Sequence, residues 1–391
     1  MGGFLADRVK NLVYSEIAAV RYRVNEMKAR GIDVVRFDTG DVGFEAPESA
    51  RYAAIDAINE GKNRYPPTAG ITELREAIAE KLRIKNKMRD VSPDDVFVTN
   101  GGMQGLFCAF GVVLNKGDEI IFNTPLWSPV VGIANIFEPV VRYAMTTKDF
   151  RLDIDNIKAV ISKRSKIVCI NTPNNPTGRV YDRKSLEELA NVCLEHNLFL
   201  VSDEPYEDVT FGCEHFSIGS LDGMLERMAA VYSFSKSSSI TGWRVGYVVT
   251  KNREIKEALK NFILHSTNGV NVIAQYGALA AIKDLDYTEI IRDEYAKRRS
   301  TLLDGLKSIE GVELVESQGT YYVFPSFKRF VPSGENDSGG HIFNLLMENG
   351  VAVVPGRAFR CEDHVRMSFS DTNLDEIKKG VKRIKSALGN L

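Results

Sequence analysis

The sequence predicts the α/β class. A large domain over roughly 46–285 would hold a mostly parallel sheet covered by helices, and a smaller α+β domain would be built from both termini, 1–45 and 286–391. Three observations point this way. From about residue 95, short β-branched runs alternate with helical stretches, the pattern of a parallel sheet covered on both faces. The last third drops that alternation for a long charged helix and short strands. The chain has 391 residues, 44% hydrophobic and 26% charged, ample for a large buried core.

In chain order, Ile17, Val20, Val24 and Met27 fall at helical spacing and predict a helix over 15–30, with Ser15 as N-cap and Gly31 as stop. A strand follows at 34–37, then a loop from Gly40 to Pro47. Helices are predicted at 48–60 and 71–84, joined by the turn-forming run Tyr65-Pro66-Pro67-Thr68-Ala69-Gly70. The alternation then reads strand 95–99, helix 102–114, strands 118–122 and 166–170, helix 183–196, and strands 198–202, 229–233 and 245–250. A long helix around 285–309 leads to strands near 312–315 and 320–325. A flexible loop is expected from Pro332 to Gly340, then helix 341–349, strand 351–354 and helix 373–388.

Fifty basic and 52 acidic side chains leave a formal charge of −2, so electrostatics offers no reason to expect a nucleic-acid partner. The five cysteines form no Cys-x-x-Cys pair and the five histidines never stand three or four apart. Free buried thiols in a reducing compartment are expected, and no metal site. The N-terminus lacks a charged stretch leading into an apolar core. The longest apolar run, Gly105–Leu114, is well short of the roughly 20 residues a membrane helix needs. A cytoplasmic protein is expected.

Ligands of open α/β sheets bind outside the carboxyl ends of the strands. Four predicted strands end in polar groups there: Asn100-Gly101-Gly102-Met103, Asn171 to Gly178, Asp203-Glu204-Pro205-Tyr206, and Phe234-Ser235-Lys236. Gly101-Gly102 opening a helix offers backbone N–H groups to a phosphate. A lysine in a dry pocket has a lowered pKa and forms a Schiff base with an aldehyde. Phosphate seat, carboxylate, phenol and imine-forming lysine are the parts of a pyridoxal phosphate site.

Ser233-Phe234-Ser235-Lys236 followed by Thr241-Gly242-Trp243-Arg244-Val245-Gly246-Tyr247 resembles the lysine signature of class I aminotransferases of the aspartate aminotransferase family. Asn174-Asn175-Pro176-Thr177-Gly178 and Asp203-Glu204-Pro205-Tyr206 match that family's other blocks in order, and the likeness runs from about 30 to 370. It implies fold type I, with a mostly parallel sheet of seven-stranded type. It also implies transfer of an amino group from an amino acid to a 2-oxo acid such as 2-oxoglutarate.

Residue by residue, the resemblance implies that Lys236 holds pyridoxal 5'-phosphate and moves the substrate proton, and that Asp203 pairs with the ring nitrogen. Asn175 and Tyr206 would bond the phenolic oxygen, and Trp127 would stack on the ring. Ser233, Arg244 and the amides of Gly101, Gly102 and Met103 would hold the phosphate. Arg366 would take the substrate carboxylate, with Gly40 and Asn175 beside it. Tyr65 would reach the phosphate of a neighbouring subunit, making a homodimer.

Two departures bear on the substrate. The family's Gly-Glu-Pro-Asp-Phe loop stands here as Gly40-Asp41-Val42-Gly43-Phe44, and Met103 occupies a position where one aspartate-specific group carries lysine. Met103 and Ile17, another apolar residue expected near the pocket, lean towards an aromatic or apolar donor, or towards a different route to aspartate. A β-eliminating lyase on the same scaffold and a cofactor-binding regulator are the alternatives.

Overall fold

The computed structural model describes residues 4–10, 12, 15–331 and 337–389. Its centre is a seven-stranded sheet. In chain order the strands are β1 (Val96–Thr99), β2 (Glu119–Thr124), β3 (Val140–Met145), β4 (Ser165–Asn171), β5 (Phe199–Asp203), β6 (Met228–Ser233) and β7 (Gly246–Val249). Across the sheet they lie in the order β1-β7-β6-β5-β4-β2-β3, and only β7 runs against its neighbours.

The sheet is buried on both faces, as its apolar runs require. In β4, Ile167 and Cys169 pack with Leu106 and Phe110 of the helix Gly101–Val113 on one side. Val168 and Ile170 pack with Leu186 and Leu189 of the helix Arg183–Glu195 on the other. That is the period of two expected of a strand. Each face buries a row of fully enclosed aliphatic side chains, each worth on the order of 2 kcal/mol.

Because β1, β2, β4, β5 and β6 all point one way, they deliver Thr99, Thr124, Asn171, Asp203 and Ser233 to a single edge. The reversed strand β7 starts at that edge, so Arg244, just before it, arrives there too. The register pairs Asn171 with Asp203, and Gly246 with both Thr99 and Ser233.

A second apolar core gathers both ends of the chain. Val20 and Val24 of the helix Glu16–Ala29 pack in it with Leu302 and Leu306 of Leu285–Lys307 and Ile377 and Ile384 of Leu374–Leu388. Val35–Arg36 pairs in parallel with Val351–Ala352, and Val365–Ser368 lies between Val354–Pro355 and Tyr322–Val323.

Several sequence expectations change. The segment 312–315 forms only an isolated bridge, Glu313 to Ser326, and no strand. Residues 332–336 of the expected loop lie outside the described residues. Its end is helical: the helix is Ser338–Glu348, because the Asp337 side chain accepts from the Gly340 N–H at 2.8 Å and starts it three residues early. Gly339 there does not mark a loop. A Cβ on it would meet the His364 carbonyl oxygen at 2.2 Å. The edge strand β3 and the helices Arg253–Ser266 and Val272–Ala281 are additions to the sequence reading. Among the described residues, no helix is long and apolar enough to cross a membrane, and no group of three or more His, Cys, Asp or Glu could hold a metal ion.

Candidate active site

At the carboxyl edge of the sheet, where the second core meets it, lies a cavity of about 270 Å³. Gly40, Gly102, Met103, Trp127, Asn175, Asp203, Tyr206, Ser233, Lys236, Arg244 and Arg366 all line it. Gly101 abuts it through Arg244. Of the residues singled out in the sequence, only Tyr65 stands apart: it is 87% exposed and borders a different hollow with Thr267 and Asn271.

Lys236 sits in the short helix Phe234–Ser237 that follows β6. Its Nζ donates to the Gly40 carbonyl at 2.9 Å, which also accepts from Tyr321 Oη at 2.8 Å. The rings of Tyr206 and Tyr321 lie beside the amine. Burial disfavours the ammonium and lowers its pKa, with Arg366 and Arg244 adding to the effect and Tyr322 and Asp41 opposing it.

Asp203 ends β5. Burial is the main cause, and the neighbouring Glu204 charge the next, of a pKa pushed up to about 7; Asn171 and Lys236 act the other way. Asn171 Nδ2 donates to Asp203 Oδ2 at 3.1 Å. Among the described residues no Lys, Arg or His forms an ion pair with this carboxylate. Tyr206 is buried, its hydroxyl 3.3 Å from that of Tyr322, and burial holds its pKa well above the usual tyrosine value.

The amino end of the helix Gly101–Val113 points at the same space and carries no acidic residue in its first turn. Gly101 has φ +74°, and a Cβ there would meet Arg244 Nη2 at 2.3 Å. Arg244, itself at φ +57°, is steadied by the Thr241 carbonyl at 2.9 Å and Ser235 Oγ at 3.3 Å. Free amides, a dipole end and a guanidinium converge on one spot, which suits a phosphate group.

Opposite stands Arg366, on the central strand of the smaller sheet and only 1% exposed. Its Nη2 donates to the Asp38 carbonyl at 2.9 Å and its Nη1 to Asn175 Oδ1 at 3.2 Å. The guanidinium lies over the rings of Tyr322 and Phe359, at 4.3 and 5.1 Å from their centroids. Its Nε has no partner, and no carboxylate among the described residues ion-pairs with it.

Sequence reading gave no role to Asn171, Tyr321 or Tyr322, all of which touch the decisive groups. Asn171 had a usable signal, being the last residue of a strand at the ligand edge. The tyrosines had none: Tyr321 reaches Gly40 from 281 positions away.

Residues 32–384 match the family described as aminotransferase class I and II. The chain is 36% identical over 391 residues to a probable aspartate/prephenate aminotransferase of Aquifex aeolicus, covering 98% of each. It is 35% identical to an aspartate aminotransferase of Bacillus subtilis, over 97% of this chain and 98% of that one. A solved aspartate aminotransferase from Thermus thermophilus with maleate overlays with a TM-score of 0.93 at 35% identity, covering 99% of this chain and all of that one.

Proposed function

The chain belongs to the class I and II aminotransferases and is a transaminase, and on that premise we propose that it works with pyridoxal 5'-phosphate joined to Lys236. Its donor, in this proposal, is an L-α-amino acid with an aromatic or apolar side chain, and its acceptor a 2-oxo acid such as 2-oxoglutarate.

The residues fit that cofactor. Asp203 is a buried carboxylate lacking a cation among the described residues, and a protonated ring nitrogen would supply one. Gly101, Gly102, Met103, Ser233 and Arg244 would hold the phosphate, Asn175 and Tyr206 would bond the phenolic oxygen, and Trp127 would cover the ring. Burial lowers the Lys236 pKa, in the direction of the neutral amine that condenses with an aldehyde. When bound, the cofactor supplies that aldehyde and an electron-withdrawing ring.

The observation that carries the reading is Arg366. A buried guanidinium without an anion is costly, and its planar fork matches a carboxylate. It would hold the substrate's α-carboxylate, fixing which Cα–H faces Lys236. Lys236, as the free amine, would take the proton from that Cα. Asp203 would stay ionised throughout, keeping the ring nitrogen protonated.

For the donor side chain, the remaining wall offers Ile17, Met103 and Leu106, which supports an aromatic or apolar group. Aspartate is the second reading. It is favoured by the relatives named aspartate aminotransferase and by the Thermus structure with its dicarboxylate maleate. A donor panel with 2-oxoglutarate tests both. Glutamate should form with phenylalanine or leucine faster than with aspartate; pyruvate and ammonia without glutamate would point to the lyase.

Two apolar cores support dividing the chain into a cofactor domain at 46–285 and a substrate-side domain from 1–45 and 286–391. The exposed Tyr65 supports a homodimer in which it reaches the neighbour's phosphate, testable by sedimentation. Five free cysteines suit the cytoplasm.

A further inference from the structure

The chemistry above leaves unused a buried carboxylate next to Asp203. Glu204 follows Asp203 directly and is fully buried. Neighbouring residues of a strand point to opposite faces, so Glu204 lies with Ser202 beneath the sheet while Asp203 faces the cavity. Glu204 Oε1 accepts hydrogen bonds from Ser202 Oγ at 2.7 Å and Ser217 Oγ at 2.9 Å. Its Oε2 accepts from Tyr232 Oη at 2.9 Å and lies 2.8 Å from His215 Nε2.

Three hydroxyl donors and the His215 ring converge on its two oxygens, a cage that suits an acceptor-only carboxylate anion. The His215 Nδ1 is buried without a partner among the described residues, so a second ring proton would be a stranded donor, and the geometry fits a ring with its single proton on Nε2, which leaves the charge of Glu204 in place. Lys81 stands 4.7 Å from the Tyr232 ring centroid and is already paired with the buried Glu207. Tyr247, stacked on Tyr232, adds no charge. On the cavity side Asp203 meets Asn171, Lys236 and the buried Cys169. Among the described residues, no Lys or Arg forms an ion pair with Glu204.

We propose that Glu204 is a positioning residue for the transamination: caged directly beside Asp203, its negative charge helps the cofactor ring nitrogen that Asp203 faces to keep its proton. The inference rests on the pyridoxal phosphate reading above. Burial alone would raise Asp203, but the charge of Glu204 is the second cause of that rise. The expected benefit is a ring that keeps its proton, and so its electron-withdrawing power, at pH values where an isolated Asp–pyridine pair would begin to lose it.

The test loads wild type, Glu204→Gln, His215→Lys and Tyr232→Phe with pyridoxal phosphate labelled with ¹⁵N in the ring, and follows the ring ¹⁵N shift against pH. Glu204→Gln removes the charge and should lower the pH at which the ring proton is lost by about one pH unit, the effect of one charge acting across most of a nanometre at an effective dielectric near 20. His215→Lys keeps the carboxylate but supplies its missing cation, and should shift the same way; it decides the matter if Glu204→Gln does not fold. Tyr232→Phe removes one donor and leaves the charge, and should follow wild type. The proposal is overturned if the charge-neutralising variants titrate with wild type, or if Tyr232→Phe shifts as far as they do. Failure of wild type to bind the labelled cofactor would instead strike the pyridoxal phosphate reading itself.

Discussion

Asp203→Asn should make the cofactor-free protein more stable and the loaded protein less so. In the folded chain the Asp203 carboxyl is pushed from 3.8 up to about 7, chiefly by burial and then by Glu204. Such a group binds its proton more tightly folded than unfolded. Stability is therefore fully present below about pH 4 and is lost as pH rises towards 7. At about 1.4 kcal/mol per pH unit, the loss reaches about 4 kcal/mol once both states are ionised. Asparagine has nearly the same shape, keeps a hydrogen bond to Asn171 after an amide flip, and carries no charge to bury. The assay is denaturation of cofactor-free wild type and variant at pH 4 and pH 8. The variant should gain up to about 4 kcal/mol at pH 8 and almost nothing at pH 4. With pyridoxal phosphate bound the order should reverse, because the variant lacks the carboxylate that pairs with the ring nitrogen. A variant no more stable than wild type at pH 8, or a difference that ignores pH, would refute the idea that Asp203 is a carboxylate awaiting a cation.

Three further outcomes are expected. Arg366→Ala should lower kcat/KM for the amino donor by roughly 10²–10³-fold, the cost of losing a charge-assisted pairing in a buried site, while the visible spectrum of bound cofactor stays unchanged; a loss under fivefold would put the carboxylate elsewhere. Gly101→Ala should weaken pyridoxal phosphate binding by at least about tenfold in a spectroscopic titration, since an L side chain at φ +74° costs about 1–2 kcal/mol and its Cβ would displace Arg244. Met103→Lys puts a cation on the cavity wall and should raise aspartate over phenylalanine by roughly tenfold in kcat/KM; no change in that ratio would remove Met103 from side-chain selection.

The sheet was legible because its strands are buried on both faces and read as apolar runs, and because polar residues at their ends cannot serve that core. Asn171, Asp203 and Ser233 stand out on that ground alone. The edge strand β3 is half solvated, and Arg142 interrupts its short apolar run. Arg366 is the opposite case. Within Val365–Ser368 it reads as an exposed strand arginine, and only the rings of Tyr322 and Phe359, brought in from other elements, turn it into a buried guanidinium. The early start of the helix at Ser338 was hidden similarly, its glycines reading as loop until the backbone of His364 is found against Gly339 and the Asp337 side chain against Gly340. Periodicity reports one element at a time, and these features exist only between elements.

The central claim is that Lys236 carries the cofactor and hands it to an amino-acid substrate held by Arg366. Borohydride reduction of the loaded protein, followed by peptide mass mapping, tests it most directly. The pyridoxyl mass should appear on Lys236 alone and should disappear when amino donor is added before the reductant. The label on another lysine, or on Lys236 regardless of donor, would contradict it.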